Sequence, residues 1–278
     1  LVIGAQKAGT TWLYSQLQRH PDIWLPPVKE IHYFNRGRRP LVLDAIGGKH
    51  RRALLWRWLK PALANGSRAD LMWHMRFFLS PRSDQWYERC FQAPAGKTIG
   101  DITPAYARLD DAAIARVARL VPDAQIIYIL RDPIERMWSQ AAMYFSRYGH
   151  TGLANQSDRS IRRFLGWDLA RANSDYIANI DRWQSHFAAN QVHIKFFDAL
   201  TSNPSEFLGA MCSTLNVAPP PPDPVVAEKV HGRSYPDIPK SILADLRSEY
   251  LPALRDLHER FATEETSIWL ERAQSPIT

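Results

Sequence analysis

The sequence predicts an α/β fold of three layers, with helices on both faces of a central parallel sheet. Three observations carry that prediction. Short apolar runs alternate with segments of helical periodicity, the pattern of a parallel sheet buried on both sides. The run Leu1-Val2-Ile3 leads directly into Gly4-Ala5-Gln6-Lys7-Ala8-Gly9-Thr10-Thr11, two glycines separated by four residues and followed by two hydroxyls. Strand, glycine-bounded loop and helix start together make a phosphate cradle, because backbone N–H groups and the helix dipole converge there. The fold class is therefore P-loop-like. With 278 residues, 45% of them hydrophobic and 23% charged, the chain is long enough to bury a substantial core as one large domain.

Strand patterns fall at residues 1–5, 98–101, 125–130 and 192–197. Helical periodicity follows at 9–20, 111–120, 133–148, 161–170, 175–187, 204–215 and 239–261. Sheets of this kind bind ligands beyond the carboxyl ends of their strands, which is where residues 6–9 lie. Residues 35–96 depart from the pattern; they carry Trp56, Trp58, Trp73 and Trp86 and read as a Trp-rich, basic insertion in the single domain 1–278. Pro219 to Pro222 mark a rigid connection before the last loop and helix.

The net charge of +7 is compatible with an anionic ligand or surface. Cys90 and Cys212 are too few for a disulfide framework and read as buried thiols. No apolar run approaches the roughly 18 residues of a membrane span. The sequence begins inside the first strand without an initiator methionine, so a preceding segment is compatible with it. A cytoplasmic location is the expectation.

An ATP-type P-loop places its lysine directly after the second glycine, against the β- and γ-phosphates. Here that position is Thr10, and the loop's lysine, Lys7, stands three residues earlier. The cradle is kept while the lysine is aimed at another part of the ligand. A second site starts where the apolar run from Ile126 to Leu130 ends. Asp132 suits a helix N-cap, Pro133 the first helical position and Glu135 the third, a capping box. Arg131 then sits beside a helix N-terminus, with Ser139 about two turns in. An arginine and a hydroxyl so placed can hold a phosphate dianion. Alternatively Arg131 pairs with Asp132 or Glu135 and Ser139 packs; the residues alone leave both open. Two separate anion sites point to a ligand phosphorylated at two positions.

Together these residues resemble the sulfotransferases that use 3′-phosphoadenosine 5′-phosphosulfate (PAPS). The stretch Lys29-Glu30-Ile31-His32-Tyr33-Phe34 is similar to the Glu-x-His-Phe-Phe segment of the glycan-type branch, which includes heparan sulfate sulfotransferases. Gly100-Asp101-Ile102-Thr103-Pro104-Ala105-Tyr106 is similar to that branch's Gly-Glu-Lys-Thr-Pro-x-Tyr, with Ile102 in place of its lysine. Gly232-Arg233-Ser234-Tyr235-Pro236 looks like the loop that closes over the nucleotide. The resemblance runs to about residue 261.

The resemblance implies a set of roles. Gln6, Lys7, Ala8, Gly9, Thr10 and Thr11 would hold the 5′-phosphosulfate, with Lys7 meeting the bridging oxygen as charge develops on it. Trp12 would either lie near the nucleotide or anchor the helix in the core, the second being preferred. Arg131, Ser139, Gly232 and Arg233 would hold the 3′-phosphate. Glu30 would take the acceptor's proton, its pKa raised by a partly buried setting beside Tyr33 and Phe34. Read by itself, Glu30 is equally a surface acid paired with Lys29. His32 would orient Glu30 or the acceptor, or be merely structural. The product is adenosine 3′,5′-bisphosphate, and no metal is required.

The acceptor is expected to be a hydroxyl of a carbohydrate or glycolipid, with a small-molecule, lipid or polyketide alcohol as the alternative. Residues 36–60 hold eight basic residues and one acid, which fits an acidic glycan, a peripheral membrane surface or simply a solvated helix face. Two readings of other classes compete, a P-loop kinase and a non-catalytic polyanion-binding module. No nucleic-acid-reading motif is present, so no nucleic-acid partner is expected.

Overall fold

A computed structural model describes residues 1–36, 68–148, 152–220 and 236–277. The chain runs through β1 (Val2–Gly4), α1 (Thr10–Leu17) and β2 (Ile23–Trp24), then α2 (Arg68–Leu79), α3 (Asp84–Cys90) and β3 (Thr98–Ile99). After a 3-10 turn at Pro104–Arg108 come α4 (Asp111–Leu120), β4 (Ile126–Leu130) and α5 (Pro133–Tyr148). The second half holds α6 (Asp158–Leu165), α7 (Asp168–Arg171), α8 (Tyr176–Gln184), β5 (Val192–Phe196) and α9 (Phe197–Ser202). It ends with α10 (Pro204–Thr214), α11 (Lys240–Phe261) and α12 (Glu264–Gln274).

The five strands of the described residues pair in parallel. β4 lies between β1 and β5, and its Ile-Ile-Tyr-Ile-Leu sequence is buried throughout, as a strand covered on both faces requires. β2 pairs with β3. The chain beyond β3 then runs beside β1: the Val2 amide donates to the Asp101 carbonyl (2.9 Å) and the Thr103 amide to the Val2 carbonyl (3.1 Å). The spatial order is therefore β2, β3, β1, β4, β5, with helices flanking the sheet. The expected α/β architecture with a parallel sheet is what the chain adopts. The cradle, the segment after β2, Arg131 and Phe197 all follow strand carboxyl ends, so the topology gathers them at one end.

Three local differences from the sequence reading have physical causes. The helix expected over 161–170 breaks at Gly166, where Trp167 turns to join the aromatic cluster of Tyr144 and Phe164. β2 is two residues long, too short to show a period. Within the insertion, α2 packs on α3 through Phe77 stacked on Trp86 (5.4 Å), and α3 joins the core through Tyr87 stacked on Tyr33 (4.9 Å). Trp56, Trp58 and most of the basic run lie outside the described residues. No helix of the described residues is long and apolar enough to cross a membrane. A cavity of about 580 Å³ lined by Tyr87, Phe91, Ile99 and Leu120 opens beside Leu1 and Gln125, at the strands' amino ends and away from the cradle.

Candidate active site

β1 ends in a backbone that cannot accept side chains. A Cβ on Gly4 would come within 2.9 Å of the Tyr128 ring and 3.3 Å of the Pro104 carbonyl. Lys7 and Gly9 both take left-handed backbone conformations, with φ of 75° and 77°, which turns the loop sharply before α1. Gly9 is the N-cap of α1, with no side-chain cap and no acid in the first turn. The helix's first N–H groups and its positive dipole end are thus left for an anion. Ala8 and Thr10 are buried and Thr11 is exposed. Gln6 accepts a long hydrogen bond from the Asn173 side chain (3.5 Å). Trp12 is buried in the core with its ring edge-on to Phe207, which supports the core alternative for that residue.

Arg131 reaches back to this loop. Its Nη1 donates to the Lys7 carbonyl (3.0 Å), its Nη2 to Glu135 (3.2 Å), and its guanidinium lies 4.7 Å over the Phe197 ring. Its Nε is buried with no hydrogen-bond partner, an orphaned donor beside an anion cradle. The Tyr176 hydroxyl donates to the Arg131 carbonyl (2.7 Å) and fixes the backbone. Asp132 caps α5, accepting from the amides of Ile134 (2.8 Å) and Glu135 (3.4 Å). The Glu135 carboxylate turns to Arg131 and Arg272; two guanidinium charges attract it more strongly than the amide that a capping box would offer. Burial, with Glu135 adding to it, pushes the Asp132 carboxyl up to about 7 against the pull of those two amides. Ser139 is buried on α5.

Sequence reasoning missed Arg136, which is fully buried one turn into α5. It donates to Ser174 Oγ (2.5 Å), Gln140 Oε1 (2.6 Å) and the Ala170 carbonyl (3.0 Å). These bonds brace the turn that carries Asn173 and leads into Tyr176 of α8. An arginine interrupting the apolar face of a helix that starts at an anion site was the available signal. Phe197 and Tyr176 gave none, because only the strand order brings them to Arg131.

The third group stands on the segment after β2, tied to α1 by the Tyr14 hydroxyl donating to the Pro26 carbonyl (2.7 Å). Glu30 is held by Lys29 Nζ at 2.8 Å and by His32 Nε2 at 3.3 Å, and His32 Nδ1 meets Asn35 Oδ1 at 3.2 Å. Both ring nitrogens of His32 are thereby engaged, an arrangement that orients Glu30. The expectation of a raised Glu30 pKa is reversed. Burial does push it up, but the bonds and charges of His32 and Lys29 outweigh burial and set it at about 2.

The motif from Gly100 to Tyr106 braces this segment. Asp101 accepts from Thr103 Oγ1 (2.6 Å) and from the Tyr87 hydroxyl (3.3 Å), and the Tyr33 amide donates to the Tyr106 hydroxyl (2.9 Å). Ile102 is buried and bridges to Val2 of β1, so a core side chain stands where the resembled branch has lysine. Gly232 and Arg233 lie outside the described residues. Among the described residues no group of three or more His, Cys, Asp or Glu is placed to hold a metal ion.

The site thus combines an uncapped helix start, a loop lysine, an arginine bonded to that loop, and an ionised carboxylate on a neighbouring segment. Such a set can bind a ligand with two anionic groups and meet charge developing between them. The curated relatives include the bifunctional heparan sulfate N-deacetylase/N-sulfotransferase 4 of Mus musculus, 28% identical over 240 residues, which cover 79% of this chain and 22% of that protein. The membrane-associated sulfotransferase kil1 of Dictyostelium discoideum is 31% identical over 140 residues, covering 50% of this chain and 21% of the relative. The chain therefore spans about a fifth of the length of these relatives. A sulfotransferase from Alicyclobacillus acidocaldarius shares the fold with a TM-score of 0.64 at 22% identity, covering 96% of both chains. The sulfotransferase domain of the Synechococcus PCC 7002 olefin synthase has a TM-score of 0.56 at 18% identity, covering 95% of this chain and 94% of that one. The sequence profile of the sulfotransferase family matches residues 1–221, and the chain belongs to that family.

Proposed function

We propose that this chain transfers a sulfuryl group from PAPS to a hydroxyl of a carbohydrate or glycolipid acceptor. The observation that carries the reading is the joining of the two anion sites: the Arg131 guanidinium bonds the carbonyl of Lys7 and keeps a buried, unpartnered Nε. A nucleotide phosphorylated at its 5′ and 3′ positions is the ligand class that fits both. The donor supplies the sulfuryl group and leaves as adenosine 3′,5′-bisphosphate.

The amides of Gly9, Thr10 and Thr11 would bind the 5′-phosphate, that of Ala8 already donating to the Ala5 carbonyl (3.2 Å), with Gln6 held to the loop's edge by Asn173. Lys7 would meet the bridging oxygen as its S–O bond breaks, an interaction strongest in the transition state. Arg131 and Ser139 would take the 3′-phosphate, joined by Gly232 and Arg233. Glu30, oriented by His32, would receive the acceptor's proton as the new O–S bond forms. A carboxylate held at about 2 is in its ionised, proton-accepting form at neutral pH. The names of the heparan sulfate N-sulfotransferase relatives support a glycan acceptor and favour a second reading, transfer to a glycan amine.

The test is transfer from radiolabelled donor, in a metal chelator, to glycan hydroxyls, glycan amines and lipid alcohols. Lys7→Ala is expected to lower kcat by about 10²–10³-fold, and Glu30→Gln by about 10²–10⁴-fold, the latter with donor affinity kept. Arg131→Ala should weaken donor binding more than it slows turnover. Wild-type turnover in both the Lys7 and Glu30 variants would refute the mechanism, and label on amines alone would replace the hydroxyl acceptor with the second reading.

A further inference from the structure

Glu135 binds two arginines from different parts of the chain. Its Oε2 accepts from Arg131 Nη2 at 3.2 Å and its Oε1 from Arg272 Nη1 at 3.3 Å. Arg272 stands on α12, beyond residues 1–221 that the family profile matches. Its place is built into the fold. Trp269, three residues earlier and fully buried, donates from Nε1 to the Asp198 carboxylate (3.2 Å). The preceding residue, Phe197, is the ring under Arg131. The start of α9 therefore supports Arg131 with one side chain and α12 with the next.

We infer that Arg272 is a further binding residue for the donor's 3′-phosphate and that Glu135 sets selectivity for that group by competing for both guanidiniums. The inference rests on the reading of Arg131 as a 3′-phosphate ligand. A phosphate dianion offers the same acceptor geometry as the carboxylate with more charge. To gain both arginines it must displace Glu135, whose negative charge also opposes it. Arg272 thus raises the preference for a 3′-phosphorylated nucleotide and Glu135 lowers it. The surface position of this pair, with side chains 57% and 45% exposed, keeps each effect modest.

Calorimetric titration of the full chain with adenosine 3′,5′-bisphosphate and with adenosine 5′-monophosphate tests it, through the ratio of the two affinities. Arg272→Ala is expected to reduce the ratio by about three- to tenfold, and Glu135→Gln to raise it by a similar factor, with monophosphate affinity unchanged in both. An unchanged ratio in Arg272→Ala, or a reduced ratio in Glu135→Gln, overturns the inference while the donor reading stands. A wild-type chain with no preference for the bisphosphate overturns the donor reading itself.

Discussion

Glu30 is caught between Lys29 and His32, and that pairing decides its chemistry. Burial alone would raise a carboxyl, yet its hydrogen bonds and charge interactions with His32 and Lys29 outweigh it and hold Glu30 at about 2. The sign follows directly. A proton acceptor works in its ionised form, so an acidic limb of kcat/KM set by Glu30 lies well below the ordinary carboxylate range. Lys29→Met removes the ammonium bonded to Glu30 and should move that limb upward, which a pH profile of both proteins reads. A limb that stays put assigns it to another group. The partners Lys29 and His32 were legible as neighbours in the sequence. Which influence wins was not, because burial and pairing oppose each other and only distances rank them.

Two helix starts carry the anion sites, and each depends on a specific residue before it. Gly9 has a φ of 77°, and a Cβ there would lie 3.0 Å from Leu200 and 3.1 Å from Phe197. Gly9→Ala should therefore cost about 1–2 kcal/mol in backbone strain, with further crowding against Phe197 and hence against Arg131. Urea denaturation measures the cost, and an unchanged midpoint would mean that the loop tolerates a side chain. At the second start, the Asp132 carboxyl is raised from 3.8 to about 7. The folded chain then holds a proton that the unfolded chain releases, so this group's stabilisation is complete below about 4 and is lost as pH rises through 7. Asp132→Asn keeps a capping oxygen and should flatten the fall in stability over that window. The strand–loop–helix unit was legible because its parts are adjacent in sequence. The unfinished capping box was not, since Arg272, which helps draw Glu135 away, is 137 residues distant.

At the scale of the molecule, the parallel sheet determines which distant residues meet. Runs such as Ile126 to Leu130 showed the sheet in the sequence because both its faces are buried. The short β2, the helices of the insertion and α12 gave little local signal, being held by tertiary packing rather than by period. Trp269 is the clearest case: it anchors α12 against Asp198 and Phe196. Trp269→Ala should destabilise the chain by about 3–5 kcal/mol, read as a lower thermal midpoint, and a shift of less than about 1 kcal/mol would mean that α12 is not an integral part of the core. The central claim is that Lys7 and Arg131 address the two phosphorylated ends of one nucleotide. The most direct measurement is a crystal structure of the complex with adenosine 3′,5′-bisphosphate. The account predicts the 5′-phosphate on the amides of residues 9–11, Lys7 Nζ within hydrogen-bond reach of it, and the 3′-phosphate on Arg131. Nucleotide bound at the opposite end of the sheet, or Lys7 turned away from the phosphate, would contradict it.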